Sequence, residues 1–78
     1  MRCVRLKDAD MPSMVKVVKI LASGDLRRRF LDLGIIEGTD IEVLFRGAMG
    51  DPIAYLIRGA VIALREEDSE KIQVVSCN

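Results

Sequence analysis

Thr39-Asp40-Ile41-Glu42-Val43-Leu44-Phe45 carries the pattern that decides the fold: Ile41, Val43 and Phe45 alternate with Asp40, Glu42 and Leu44. Period-two alternation places one set of side chains on each face of an extended chain, the mark of a half-buried strand that ends near Phe45. Arg46-Gly47-Ala48-Met49-Gly50-Asp51-Pro52 follows, and its two glycines and one proline read as a hairpin loop. Beyond it Ile53–Ile57 and Ala60–Leu64 form two further strands, with Arg58-Gly59 as the two-residue turn between them. Three consecutive antiparallel strands are therefore expected from residue 39 to residue 64.

Working back from this block, Glu37-Gly38-Thr39 reads as a turn, and Gly34 is the residue able to close a helix in a left-handed conformation. Residues 26–33 contain no Gly, Pro or β-branched side chain, and Asp25 stands where an N-cap is expected. At 100° per residue Leu26, Phe30 and Leu33 share one face, with Arg28 and Asp32 opposite at a pairing distance of four. Ile35-Ile36 lead the chain back toward the core. Residues 14–21, Met-Val-Lys-Val-Val-Lys-Ile-Leu, are rich in β-branched side chains and form a strand, while Val4-Arg5-Leu6 look like a shorter first one. Past residue 64, Arg65-Glu66-Glu67-Asp68-Ser69-Glu70 is a charged crossing of about one helical turn, and Ile72-Gln73-Val74-Val75 make the last strand. Five to six short strands with one short helix predict a mainly all-β fold in which the sheet closes into a small barrel, with Leu26, Phe30 and Leu33 covering an open end.

Length limits what such a chain can hold. Its 78 residues suit one hydrophobic core and a single domain over 1–78. Half the residues are apolar and 31% are charged, a globular balance, and no run reaches the roughly 18 apolar residues that span a bilayer. The opening Met1-Arg2-Cys3-Val4 has no signal-peptide pattern, so a cytoplasmic location without membrane insertion is expected. Twelve basic and twelve acidic side chains cancel, which argues against nucleic acid as the ligand.

Catalysis finds little to work with. There is no His to act as a base near neutral pH, no phosphate-binding Gly-rich loop and no nucleophile elbow, so no enzyme activity and no cofactor are expected. Cys3 and Cys77 stand almost at opposite ends of the chain, outside any zinc or haem spacing, and read as thiols on terminal strands; a terminal disulfide or a weak metal contact are the alternatives. Asp8 with Asp10, or Glu66 with Glu67 and Glu70, could hold a divalent ion only weakly, and a solvated charged face is the simpler reading. No metal-ligand set is assigned.

Arg27-Arg28-Arg29 are the most informative polar run, because they fan around the expected helix. Arg28 faces solvent, Arg29 borders the Leu26 and Leu33 stripe, and Arg27 lies between Phe30 and Leu31. Solvated arginines laid along apolar neighbours would explain them, but Arg beside apolar side chains is also a common interface composition. Met14 is expected to fill the core, whereas Met49, inside a Gly-rich loop, is hard to bury. Arg27, Arg28, Arg29 and Met49 are thus the candidate partner-binding residues.

The ordered set Leu26-Arg27-Arg28-Arg29-Phe30-Leu31-Asp32-Leu33-Gly34, Glu37-Gly38-Thr39, Gly50-Asp51-Pro52-Ile53, Gly59, Ala63-Leu64-Arg65 and Ile72-Gln73-Val74 resembles the FeoA family over nearly the whole chain. It departs from the family pattern at Ala9, Pro12 and Phe30, where Leu, Gly and Leu are commoner. The resemblance implies an SH3-like β-barrel with an inserted short helix. It further implies a small cytoplasmic accessory protein of ferrous iron transport, a monomer or weak homo-oligomer, that binds and modulates FeoB, the membrane iron transporter bearing a GTPase-like domain. The same domain type is similar to the C-terminal module of metal-dependent bacterial repressors. That likeness keeps a second reading open, a metal-responsive domain that binds a transition metal ion itself.

Overall fold

The structure, a computed structural model, describes residues 2–77. Six strands, β1 (Cys3–Arg5), β2 (Ser13–Ile20), β3 (Asp40–Arg46), β4 (Ile53–Ile57), β5 (Ala60–Leu64) and β6 (Ile72–Ser76), form one antiparallel sheet in the order β1-β6-β2-β3-β4-β5. Helix α1 (Gly24–Asp32) joins β2 to β3, and the single turn α2 (Glu66–Ser69) joins β5 to β6. The chain reverses between β4 and β5 through Arg58 and Gly59, both with positive φ (49° and 83°), the backbone of a tight two-residue hairpin.

Register explains which side chains face inward. Val15 lies opposite Ile41, Ile41 opposite Ile57, Val43 opposite Tyr55, Tyr55 opposite Ile62, and Val17 opposite Val74. These residues line one face, and with Leu6, Phe30, Ile35, Ile53, Leu64 and Ile72 they make the core. Phe30 is fully buried, and Leu26 and Leu33 pack against the same cluster, so α1 turns the expected stripe inward.

Two apolar side chains lie elsewhere than the alternation predicts. Phe45 is 61% exposed because the β3–β4 ladder shifts between Val43 and Phe45; the added residue reverses the phase, and Phe45 pairs with Ala54 on the outer face. Met14 is not a core residue. It sits opposite Glu42 on that outer face, 39% exposed, while its neighbour Val15 takes the inner position. The first strand ends one residue early, because Leu6 enters a 3-10 turn over Leu6–Asp8 that drives its side chain into the core.

The expected closure of the sheet into a barrel does not occur through strand pairing: among the described residues no ladder joins the edge strands β1 and β5. Side chains bridge the seam instead. Arg46 at the end of β3 donates from Nη2 to the Lys7 carbonyl (2.6 Å) and from Nη1 to the Gly50 carbonyl (3.0 Å), and its Nη1 lies 3.2 Å from Glu66 Oε2. Arg5 of β1 donates to the Glu70 carbonyl (3.0 Å), and Asp51 Oδ1 accepts from the Glu66 amide (2.8 Å). Beneath them the Tyr55 hydroxyl donates to Ser69 Oγ at 2.9 Å, both residues fully buried.

Truncation of the buried ring, Phe30→Ala, is expected to destabilise the fold by about 3 to 5 kcal/mol in urea unfolding, and a loss below about 1 kcal/mol would mean that α1 does not complete the core. A second expectation follows from Tyr55. Burial pushes its phenol from 10.0 up to about 12, outweighing the opposing effect of the Ser69 hydrogen bond. The unfolded chain then releases a proton that the folded chain keeps, so stability is complete below pH 10 and falls as pH rises from 10 toward about 12. In Tyr55→Phe that alkaline decline should flatten, with a loss of about 1 to 2 kcal/mol at neutral pH from the unpartnered Ser69 hydroxyl.

Candidate partner-binding site

Helix α1 starts after Ser23, whose side chain makes no capping hydrogen bond. Asp25 is accordingly not the N-cap; it lies in the first turn, where a carboxylate favours the positive end of the helix. At the other end the Leu33 and Ile35 amides return to the carbonyls of Arg29 and Phe30, and Gly34 adopts φ +83°. The Gly34 carbonyl accepts from Thr39 Oγ1 (3.1 Å) and from Arg58 Nε (3.0 Å), while Thr39 Oγ1 accepts from the Ile36 amide (3.0 Å). The positive φ favours glycine here, and a Cβ at Gly34 would fall 2.7 Å from Arg58 Cδ, so any other residue would also have to displace the Arg58 side chain. This knot buries Ile35 and leaves Ile36 43% exposed.

A groove of about 500 Å³ runs between α1 and this turn, lined by Ile20, Gly24, Arg27, Arg28, Leu31, Ile35, Ile36 and Glu37. Leu31 is 61% exposed within it. Apolar side chains line it together with two guanidinium groups and one carboxylate. That composition suits an apolar segment with acidic flanks and offers no paired nucleophile and base.

Among the four residues singled out from sequence, the groove brings together Arg27 and Arg28. Arg29 points elsewhere: its Nη1 lies 3.3 Å from Asp68 Oδ2, tying α1 to α2. The expected Arg28–Asp32 pair is not formed, and Arg29 is the helix arginine that finds a carboxylate. Met49 is 92% exposed at the tip of the 47–50 turn, which the Gly50 amide closes onto the Gly47 carbonyl (2.9 Å), and it does not line the groove. Leu31, Ile36 and Ile20 were the residues that sequence reasoning passed over. Leu31 falls outside the Leu26-Phe30-Leu33 stripe, and of two adjacent isoleucines in a turn only one can point inward; both facts mark apolar groups left for the surface.

The carboxylates considered for metal are otherwise engaged or scattered. Asp8 pairs with Lys7 (3.4 Å), Glu66 with Arg46, and Asp68 with Arg29. Among the described residues no three His, Cys, Asp or Glu side chains converge on a point that could hold an ion. Cys3 and Cys77 are free and exposed.

Fold and groove together define the class: a small antiparallel, SH3-like β-module with an exposed apolar groove beside its inserted helix. The chain belongs to the FeoA domain family, whose model matches residues 4–76. It is 31% identical over 71 residues to the Fe(2+) transport protein A/Fe(2+) transporter FeoB fusion protein of Porphyromonas gingivalis, covering 91% of this chain and only 8% of that much longer protein. A solution structure of a FeoA-like protein from Clostridium acetobutylicum superposes with a TM-score of 0.90 at 33% identity, covering 100% of this chain and 91% of the other. The FeoA protein of Chlorobium tepidum superposes at 0.89 with 28% identity, covering 96% and 71%. The family is one of ferrous iron transport, and the fused relative links it to FeoB.

Proposed function

We propose that this chain is a cytoplasmic accessory protein of ferrous iron transport that docks on the cytosolic region of FeoB, next to its GTPase-like domain, and modulates the transporter without catalysing a reaction. The observation that carries this reading is the relative in which a matching segment is part of one polypeptide with a FeoB transporter. Joining two binding units turns their encounter into an intramolecular event, so an association too weak to persist between free chains becomes effective. The groove supplies a surface of the right kind. Arg27 and Arg28 steer an acidic partner segment, and Leu31 with Ile36 receives its apolar side chains. Met49 is a second, separate contact on the exposed 47–50 loop, and Arg29 holds α1 in place through Asp68. No helix among the described residues is long and apolar enough to cross a membrane, in keeping with contact to the bilayer through a partner alone.

Binding to the purified cytosolic region of FeoB, followed by calorimetry and paired with an iron-uptake assay in cells, tests the proposal. Charge reversal with Arg27→Glu and Arg28→Glu should weaken binding by about tenfold or more, equivalent to about 1.4 kcal/mol, and reduce uptake. Unfolding should shift by no more than about 0.5 kcal/mol per exposed site. Met49→Ser should produce a smaller loss. If the combined variant folds and binds like the parent, the docking face is elsewhere. Titration of the isolated chain with ferrous iron separates the metal-responsive alternative: uptake no stronger than that of a generic acidic surface is expected. A stoichiometric site of micromolar affinity, lost on replacing Cys3 and Cys77 or the Glu66, Glu67 and Glu70 carboxylates, would instead make the chain the metal receptor.

A further inference from the structure

The two edges of the sheet are built differently. Strand β1 is three residues long and carries Arg5, both features that discourage pairing with a further strand. Strand β5 is Ala-Val-Ile-Ala-Leu, with no charge and no proline, and its ladder to β4 runs without a register shift, whereas the β2–β6 and β3–β4 ladders are each interrupted. Among the described residues β5 pairs with β4 alone.

Hairpin geometry identifies which peptide groups face outward. A two-residue turn makes the flanking residues, Ile57 and Ala60, the hydrogen-bonded pair that closes the hairpin, and hydrogen bonding alternates from there. Ala60, Ile62 and Leu64 therefore direct their amides and carbonyls to β4. Those of Val61 and Ala63 point away from it, toward the free edge. Val61 is also 67% exposed through its side chain, on the outer face it shares with Leu56 and Phe45.

We propose that this edge is a homodimer interface, in which β5 pairs antiparallel with β5 of a second copy, Ile62 opposite Ile62. The register follows from hydrogen bonding. Only Val61 and Ala63 have peptide groups to offer, and centring on Ile62 sets Val61 of each copy against Ala63 of the other, so that two hydrogen-bonded pairs supply four N–H···O bonds. Shifting the partner by one residue sets outward-facing peptide groups against groups already committed to β4. Side chains agree with the same register, since Val61 meets the small Ala63 across the edge. Charge does not oppose it: the paired stretch Ala60–Leu64 carries no charged side chain, so no like charges face one another across the edge. A second copy is favoured over a different partner strand because the contact is isologous and closed by a two-fold axis, and because the chain's net charge of zero adds no mutual repulsion. One strand edge buries little area, so the dimer is a weak one.

Sedimentation equilibrium of the full chain from about 10 µM to about 1 mM, with amide NMR and hydrogen exchange over the same range, tests this. A reversible monomer–dimer equilibrium is expected, with concentration-dependent shifts and slowed exchange at the Val61 and Ala63 amides. Ala63→Pro removes an outward-facing N–H while leaving the β4 ladder intact, and should be monomeric throughout. Val61→Lys places a charge on the edge, should also be monomeric, and decides the matter if the proline variant fails to fold. A parent that stays monomeric at about 1 mM overturns the proposal. So does a folded Val61→Lys variant that dimerises like the parent, or a dimer whose shifts fall on the α1 groove rather than on β5.

Discussion

Tyr55 stands in β4, the middle strand of the β3–β4–β5 block, fully buried, and its hydroxyl meets Ser69 of α2 at 2.9 Å. The rest of the architecture depends on that contact and on the Arg46 side chain above it. A six-stranded sheet whose edges do not pair exposes one side of its core along the seam, and backbone hydrogen bonds cannot cover it. A short crossing segment must lie over the gap and be held there by polar groups. Ser69, Glu66 and the Glu70 carbonyl are the points at which α2 is held, reached by Tyr55 from β4, Arg46 from β3 and Arg5 from β1. Tyr55 and Ser69, both fully buried, and the half-buried Arg46 would be costly to leave unpartnered, which makes the seam specific as well as covered; the contacts of Arg5 and Glu66 lie at its exposed margin.

The candidate docking groove depends on the same arrangement at one remove. Helix α1 presses Phe30 into the core with Leu26 and Leu33 packed against the same cluster, and that burial orients its outer side; the Arg29–Asp68 pair adds an exposed contact to α2. The turn that follows has two anchors, Gly34 with its positive φ and Thr39 with its buried hydroxyl. Between them they fix Ile36 outward. A groove built on a helix and a locked turn is pre-organised, so a partner bears less ordering cost on binding.

The outer face and the inner face also divide the work of the sheet. Inward residues are held to one register by burial, since a slip of one residue would expose them all. Outward residues are free of that demand, and there the β3–β4 shift places Phe45 on the same outer face as Leu56 and Val61. The free β5 edge borders this face.

Much of this was legible in the residue order. Alternation through residues 39–45, the Arg58-Gly59 turn, the Leu26-Phe30-Leu33 stripe and Gly34 each encode a local conformation, and local conformation is set by period, sterics and φ preference. The ordered motifs that resemble the FeoA family carried the fold and its link to iron transport. Other features were decided only by tertiary structure. Whether the sheet would close depended on how far it curls and on what covers the seam, a matter of contacts between residues far apart in the chain, such as Arg46 with Lys7. Phe45 and Met14 were settled by pairing: a register shift and the partner strand, neither visible along a single segment, decide which face a residue takes. Arg27, Arg28 and Arg29 were equivalent as a string. Helical geometry and one carboxylate on α2 separated them, setting Arg29 beside Asp68 and Arg27 with Arg28 at the groove.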